Sequence, residues 1–205
     1  MSDEFARLLA PSFELEDLEG SEAIAFGLWP DLTLAYVNPA WTRFAEGNNG
    51  EPGIQNEWGI GARYLDAIPG VLRPFYEQFL TATPEPGVSL HPPSHVYECS
   101  SPTVFRQYLM QVYPLQKRAG YIVLNALVAE SAHDPLSRAP HTPDLDMYVD
   151  VNGIVTQCSH CRLIRCVGEQ TRWDWVPSWV EEAPPKTSHG LCEMCFTYYY
   201  GVATT

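Results

Sequence analysis

The apolar positions of the first forty residues predict a short helix and a β-hairpin. Apolar residues recur at helical spacing in Asp3–Leu9, and Pro11 would end that helix. Two longer apolar runs follow, Ala23–Trp29 and Leu32–Val37. The turn-forming Pro-Asp pair between them, at 30–31, joins the two runs into a predicted hairpin.

Two further helices are predicted after the hairpin. Asn38 is a plausible N-cap and Pro39 suits the first helical position, so a helix is expected to run to about residue 46. Another helix is predicted over Val71–Ala82, because four apolar residues recur there at the spacing of one helical face. These four are Leu72, Phe75, Phe79 and Leu80.

Three strands complete the pattern of the first 130 residues. They are predicted at Ser94–Cys99, Thr103–Tyr113 and Gly120–Glu130. Two strands, then helices, then three strands indicate an α+β fold. Its predicted core is a five-stranded antiparallel sheet with the helices gathered on one face.

A change of composition divides the chain. Residues 131–146 contain three prolines and few large apolar side chains, which is typical of a linker. We therefore expect a first domain at 12–132, a linker at 133–146 and a second module at 147–200.

Charge and hydropathy exclude several classes of protein. The 205 residues carry a formal net charge of −13, which repels phosphate backbones and disfavours a nucleic-acid partner. The N-terminus lacks the apolar run of a signal peptide. No stretch approaches the roughly 18 apolar residues of a membrane span. A cytoplasmic location without a membrane partner is expected.

The candidate chemistry lies in two Cys-x-x-Cys pairs, Cys158 with Cys161 and Cys192 with Cys195. Two close pairs of thiolates suit tetrahedral Zn²⁺, which binds sulfur at about 2.3 Å. In a reducing cytoplasm such pairs indicate a metal rather than disulfides. Four cysteines leave no position for water, so zinc with a structural role is predicted.

The residues around the two pairs predict a treble-clef-like arrangement. Tyr148–Thr156 is predicted to be an extended strand with a turn at its Asn-Gly pair, 152–153, and it would lead the first cysteine pair into a knuckle. Gly190 is expected to allow a sharp turn before Cys192, and Glu193–Tyr200 to form a short helix. The second pair would then lie at a helix N-terminus, which stabilises thiolate charge.

Other residues near the pairs have more than one interpretation. Cys166 is an alternative ligand, a buried free thiol, or a redox-active thiol that attacks a ligand and releases zinc. His160 and His189 are alternative ligands, and His189 is expected to support the ligands or a turn because four cysteines already complete the set. Tryptophans between the pairs are predicted to form core rather than a binding surface. They are Trp173, Trp175 and Trp179.

The element order and several segments resemble the PAS sensor domain. Tyr36–Trp41 is similar to the family's second strand and first helix, and Gly61–Pro69 to the segment before its connecting helix. Tyr113–Leu115 and Gly120–Val123 are similar to its final hairpin. The resemblance implies a cavity that binds a small ligand or cofactor, or a surface that mediates dimerisation.

The C-terminal part resembles a recurring bacterial segment that is attached to PAS or receiver domains. Its outline is a Gly, a Cys-x-x-Cys pair, a Trp, Ser-His-Gly-x-Cys-x-x-Cys and a Tyr-rich end. Here these are Gly153, the first cysteine pair, Trp173 or Trp175, residues 188–195 and Tyr198–Tyr200. The resemblance implies a partnership with signalling proteins.

The sequence does not identify a ligand for the cavity of the PAS-like domain. Residues 1–98 contain no cysteine for the flavin adduct of light-sensing members. The predicted connecting helix contains no histidine to ligate haem. His91 and His95 flank two prolines in a predicted loop and are expected to be surface residues rather than a second metal site.

The expected function is that of a non-enzymatic signalling protein. The sequence contains no Gly-rich phosphate loop, nucleophile elbow or kinase motif. We expect a cytoplasmic sensor or adaptor of bacterial type, forming a homodimer and binding a signalling partner. The alternative is a redox- or metal-responsive switch that acts through the four paired cysteines and Cys166.

Overall fold

The computed structural model describes residues 1–48, 57–82, 91–169 and 171–201. It confirms the α+β class, with a five-stranded antiparallel sheet and a smaller mixed sheet that carries four cysteines. The chain forms two compact units. Unit 1 is Met1–Ile68, Tyr76–Val96 and Leu109–Leu127, and unit 2 is Pro69–Phe75, Tyr97–Tyr108 and Val128–Thr205.

The helices and strands follow the predicted order closely. The helices are α1 (Asp3–Leu9), α2 (Leu15–Gly20), α3 (Pro39–Gly47), α4 (Arg73–Thr81), α5 (Leu145–Tyr148), α6 (Pro177–Glu181) and α7 (Glu193–Tyr200). The strands are β1 (Ile24–Leu28), β2 (Leu34–Val37), β3 (Ser94–Glu98), β4 (Val104–Leu115), β5 (Gly120–Ala132), β6 (Val155–Cys158), β7 (Ile164–Arg165), β8 (Trp173–Asp174) and β9 (Thr187–Gly190). Single 3-10 turns lie at Tyr64–Ala67 and Gln116–Arg118.

The larger sheet has the strand order β2-β1-β5-β4-β3. The predicted hairpin is confirmed, because β1 pairs antiparallel with β2. On its other side β1 pairs antiparallel with β5, with Phe26 opposite Val123. Because side chains alternate across a strand, this register places Phe26 on one face of the sheet and Gly27 on the other.

The Gly27 face of the sheet is covered by the N-terminal helices. Phe5 of α1 is fully buried in a cluster with Leu18 of α2 and Ile122 of β5. A Cβ atom on Gly27 would overlap the buried Phe5 ring, so this position requires glycine. Helix α1 was predicted from the sequence, and α2 was not.

The opposite face of the same sheet packs against α3 and the first 3-10 turn, so helices lie on both faces and not on the single face that the sequence predicted. The Phe26 ring contacts Trp41 of α3 edge-on at 5.2 Å between centroids. It also stacks on Tyr64 at 5.0 Å. Both faces of β1 are therefore buried, which accounts for its nearly continuous apolar sequence.

Asn38, which directly follows β2, joins β1, α2 and α3 at one buried point. Its Oδ1 accepts hydrogen bonds from the N–H groups of Ala25 and Trp41, at 3.0 and 3.1 Å. Its Nδ2 donates to the carbonyls of Leu18 and Ala23, at 3.1 and 2.9 Å. The predicted N-cap is confirmed, and the same side chain also binds two other segments.

Unit 2 contains a four-stranded sheet with the order β8-β7-β6-β9. Strand β6 pairs antiparallel with β7 and parallel with β9. Tyr148, Ile164 and Trp179 are buried together in its core. The predicted extended segment from Tyr148 onward is wrong at its start, because Tyr148 ends the one-turn helix α5. The turn at 152–153 is present, and Gly153 has φ 75°.

Residues of the predicted linker make specific contacts within unit 2. Arg138 forms two 2.6 Å hydrogen bonds with Glu98, and the guanidinium lies 5.1 Å from the Trp175 ring centroid. The backbone N–H of His141 donates to the Trp175 carbonyl at 2.8 Å. The proposed boundaries at 12–132, 133–146 and 147–200 stay a prediction.

Within the part of the chain that the structure describes, the helices are too short or too polar to cross a bilayer.

Candidate metal centre

The first cysteine pair lies in a tight turn between β6 and β7. Cys158 is the last residue of β6, and its N–H donates to the Leu163 carbonyl at 2.8 Å. The Arg162 N–H donates back to the Cys158 carbonyl at 3.1 Å. Arg162 adopts φ 64°, and this left-handed residue reverses the chain directly after Cys161. The predicted knuckle is therefore present.

Strand β9 brings the second pair to the first. It runs parallel to β6 with Gly190 opposite Cys158, and the Ser159 N–H donates to the Gly190 carbonyl at 2.8 Å. The chain then enters α7, with Cys192 as its N-cap and Cys195 in its first turn. The expectation of a sharp turn at Gly190 is wrong, because Gly190 pairs as the last residue of an extended strand.

The four sulfur atoms meet at one point. All of them lie within 4.8 Å of one another, and all four residues are buried. The sulfur atoms of Cys161 and Cys192 are 3.8 Å apart. A tetrahedron with metal–sulfur bonds of about 2.3 Å has edges of about 3.8 Å, so this spacing fits a tetrahedral ion. The cluster can hold a metal ion such as zinc.

The electrostatics of the cluster also favour a cation. The Cys158 sulfur accepts hydrogen bonds from neighbouring thiols, and the bond from Cys161 has the largest effect. These bonds hold the pKa of Cys158 far below its ordinary value. The same hydrogen bond to Cys158 raises the pKa of Cys161. Like charges in contact oppose each other, so four adjacent thiolates are unfavourable without a cation among them. A divalent ion bound by all four sulfurs would offset part of this repulsion and favour their deprotonated form.

The surroundings close the cluster to solvent. Three partly buried apolar side chains pack against the cysteines, namely Leu163, Trp173 and Leu191. The backbone N–H of Cys192 points at the Cys158 sulfur, 3.5 Å away. An amide donor of this kind stabilises thiolate charge without adding a ligand. Four buried sulfurs with an apolar rim leave no evident position for a reactive water.

The two histidines considered as alternative ligands lie outside the group of four sulfurs. His160 Nδ1 is 2.9 Å from the Tyr199 hydroxyl, and its ring packs edge-on against that of Tyr199 at 5.3 Å. His189 is an exposed residue of β9, opposite Gln157 of β6. His160 thus supports the helix that carries the second pair, and His189 lies on the surface of the sheet.

Cys166 is buried in the core of unit 2, in a cluster separate from the four cysteines. Its thiol donates a 3.2 Å hydrogen bond to Asp174 Oδ2, which also accepts the Tyr148 hydroxyl at 2.9 Å. Burial first, and then this bond to a carboxylate, raise the pKa of the Cys166 thiol to about 11. Cys166 is therefore held as a neutral hydrogen-bond donor.

The tryptophan prediction is confirmed for Trp175 and Trp179, which are 3% and 9% exposed. Trp173 packs against the cysteines and so lines the candidate site. The interpretation of His95 as a surface loop residue is wrong. His95 is buried in β3, where its ring meets those of Tyr76 and Phe79. Among the described residues, His95 does not belong to the group of side chains that could hold a metal ion.

Sequence reasoning missed two polar centres of unit 2. One is the Arg138–Glu98 pair, whose partners lie 40 residues apart along the chain. The other is Asp174, which receives hydrogen bonds from Arg172, Tyr148 and Cys166. Burial alone would raise the pKa of Asp174, but these donors outweigh it and lower the pKa. No local motif marks either centre.

A comparison with models of known protein families finds no match, and a comparison with curated proteins finds none either.

Proposed function

We propose that the four-cysteine cluster binds one structural zinc ion. The observation that carries this proposal is the convergence of four buried sulfurs within 4.8 Å from two segments of the chain. Cysteine-only sets with tetrahedral spacing are typical of structural zinc, and the complete set leaves the ion without an open position. Zinc loading would then stabilise the fold of the module rather than activate a substrate.

We propose further that the whole chain is a non-enzymatic sensor or adaptor protein with a PAS-like first domain. The five-stranded antiparallel sheet supports the assignment, together with helices at the places where the PAS-like segments were expected. In this proposal the PAS-like domain binds a small ligand or mediates homodimerisation. The zinc module provides a surface for a signalling partner in the cytoplasm.

The docking face proposed for the zinc module is the outer side of α7. Met194 and Phe196 are 82% and 55% exposed, although both are large and apolar. Cys195 and Tyr199 on the inner side of the same helix are buried. Exposed apolar side chains on a rigid, metal-anchored helix are typical of a protein contact site.

The test combines binding and turnover measurements on the purified full chain. Native mass spectrometry is expected to find a dimer or a co-purified small molecule. Capture of a signalling protein should be lost in a Met194→Ser/Phe196→Ser variant that retains its zinc. A Glu193→Gln variant, changed at a neighbouring exposed residue, serves as the control. Robust turnover of a metabolite by the isolated chain would contradict the proposal.

The alternative is a redox switch in which peroxide oxidises the Cys166 thiolate to a sulfenic acid, and a ligand thiolate then displaces hydroxide to form a disulfide that releases zinc. Its chemistry requires a thiolate, whereas the Cys166 thiol donates to Asp174 and has its pKa raised to about 11. The geometry therefore favours the structural role. The rate of zinc release under mild peroxide distinguishes the two proposals. If Cys166 acts as a switch, the Cys166→Ser variant should release zinc more slowly than wild type. If the zinc is only structural, the two rates should be equal.

A further inference from the structure

Helix α7 contacts two different parts of unit 2 with its two ends. Its first turn carries Cys192 and Cys195 of the cysteine cluster. Its last turn carries Tyr199 and Tyr200. With only 8 residues, such a helix is marginal on its own and depends on contacts at both ends.

The tyrosine end of α7 holds the segment that begins α4. The rings of Tyr199 and Phe75 meet edge-on with centroids 4.8 Å apart. The Tyr200 hydroxyl donates a 2.6 Å hydrogen bond to the Val71 carbonyl. Both partners belong to Pro69–Phe75, which lies in unit 2.

Tyr199 is also contacted from the first cysteine pair. Its hydroxyl lies 2.9 Å from Nδ1 of His160, the residue just before Cys161. A 7%-exposed side chain thus meets a residue of the cysteine turn on one side and the start of α4 on the other. Movement of either cysteine segment would change the position of this ring.

We propose that zinc at the four cysteines controls the order of Pro69–Phe75 through Tyr199 and Tyr200. The inference rests on the proposed zinc site and adds a conformational output to it. With zinc bound, Cys192 and Cys195 fix α7, and its two tyrosines hold the chain that starts α4. Without zinc the first turn of α7 loses its anchor, the tyrosines withdraw, and the segment loosens.

The segment held by the two tyrosines runs directly into α4. Helix α4 starts in unit 2 and continues from Tyr76 in unit 1, where Tyr76 and Leu80 are buried. Its preceding turn is closed by the Leu72 and Arg73 N–H groups, which both donate to the Pro69 carbonyl. Opening of this turn would shorten the ordered part of α4. Metal loading thereby sets where this helix begins.

The test is amide hydrogen exchange measured by NMR on the full chain, zinc-loaded and after treatment with a strong zinc chelator under reducing conditions. The amides of Leu72 and Arg73 report on the segment. The amides of Ala25 and Trp41, bonded to Asn38, report on unit 1. Zinc removal is expected to speed exchange at Leu72 and Arg73 at least about tenfold and at the unit 1 amides less than about twofold.

Variants separate the tyrosine contacts from metal binding. Tyr200→Phe removes only the hydroxyl, so exchange at Leu72 and Arg73 in the zinc-loaded protein should rise about two- to fivefold with zinc content unchanged. Tyr199→Ala should give the rates of the zinc-free wild type while zinc is still bound. Thr197→Ala, at an exposed position of the same helix, is the control and should change nothing.

Three results would overturn the inference. If zinc binds but its removal leaves exchange at Leu72 and Arg73 unchanged, the coupling is wrong and the zinc site stands. If all four reporter amides accelerate together, metal loss unfolds the protein globally and no segment-specific device exists. If the protein binds no zinc, the proposed site fails, and the coupling fails with it.

Discussion

The sulfur atoms of Cys161 and Cys192 lie 3.8 Å apart, although the two residues are 31 positions apart along the chain. Strand β9 pairs parallel with β6, so the two strands end side by side. The two cysteine pairs therefore lie next to each other at these strand ends. Intervening residues such as Ile164 and Val176 share a buried core with Tyr148 and Val155. The cluster is thus a consequence of a folded sheet and would not persist in an unfolded chain.

Cys192→Ala is expected to lose zinc and several kcal/mol of unfolding free energy, because metal binding and folding of the module are coupled. Elemental analysis and chemical denaturation would measure both effects. Cys99→Ala removes a cysteine outside the cluster and should retain one zinc per chain. Full zinc content in Cys192→Ala would show that the four sulfurs do not act together.

Arg138→Met should destabilise the protein by about 3–5 kcal/mol, because it leaves the Glu98 carboxylate buried without its partner. The two side chains are only 15% and 5% exposed. Denaturant titration measures the loss. The double variant Glu98→Gln/Arg138→Met should recover much of it, since the buried charge is then gone.

Arg43→Gln is the matched control for Arg138. Its pair with Glu22 has a 3.7 Å separation and side chains that are 53% and 95% exposed. Loss of such a surface pair should change stability by less than about 1 kcal/mol. Equal effects of the two arginine variants would contradict the role assigned to burial.

Asn38→Ala should cost about 3 kcal/mol of unfolding free energy. The change removes the α3 cap and leaves the buried backbone groups of three segments without their partner. Thermal or urea unfolding measures the effect. Asn48→Ala breaks one exposed hydrogen bond to the Phe44 carbonyl at the other end of α3 and should cost far less. A loss below about 1 kcal/mol in Asn38→Ala would refute this role.

Alkylation of Cys166 in the zinc-loaded protein should be slow and strongly dependent on pH. Because the pKa of this thiol is raised to about 11, only about one molecule in ten thousand is thiolate at pH 7. The rate should rise about tenfold per pH unit up to that pKa, as read by mass spectrometry of labelled peptides. Rapid labelling at pH 7, or a flat pH profile, would contradict the buried donor role.

The same raised pKa links Cys166 to stability. The folded state favours the protonated thiol, so protonated Cys166 adds to the free energy of unfolding. This stabilisation is complete below about pH 8.5, the pKa of the thiol in the unfolded chain, and is lost as the pH rises through about 11. Unfolding free energy should therefore fall more steeply over this window in wild type than in Cys166→Ser. Parallel curves would show that the thiol does not titrate with folding.

Local signals predicted most of the elements and the candidate site. Asn38 and Pro39 start a helix through their own chemistry, and Cys-x-x-Cys spacing reports ligand geometry within four residues. Helix α7 follows the second pair as predicted. These features depend on neighbours in sequence, so the pattern of residue types is sufficient to find them.

Features that depend on distant partners were not predictable in this way. Helix α2 buries only Leu18 and has no side-chain cap, so its pattern is too weak to see. Gly190 lies in a strand because β6, some thirty residues earlier, pairs with it. His95 is buried because aromatic rings of α4 surround it. In each case tertiary contacts override the local preference.

Zinc content and thiol count of the purified full chain test the central claim most directly. Elemental analysis is expected to find one zinc per chain, with Cys158, Cys161, Cys192 and Cys195 unreactive towards a thiol reagent until a chelator is added. Protein that binds no transition metal when folded, or that carries these cysteines as disulfides, would contradict the account.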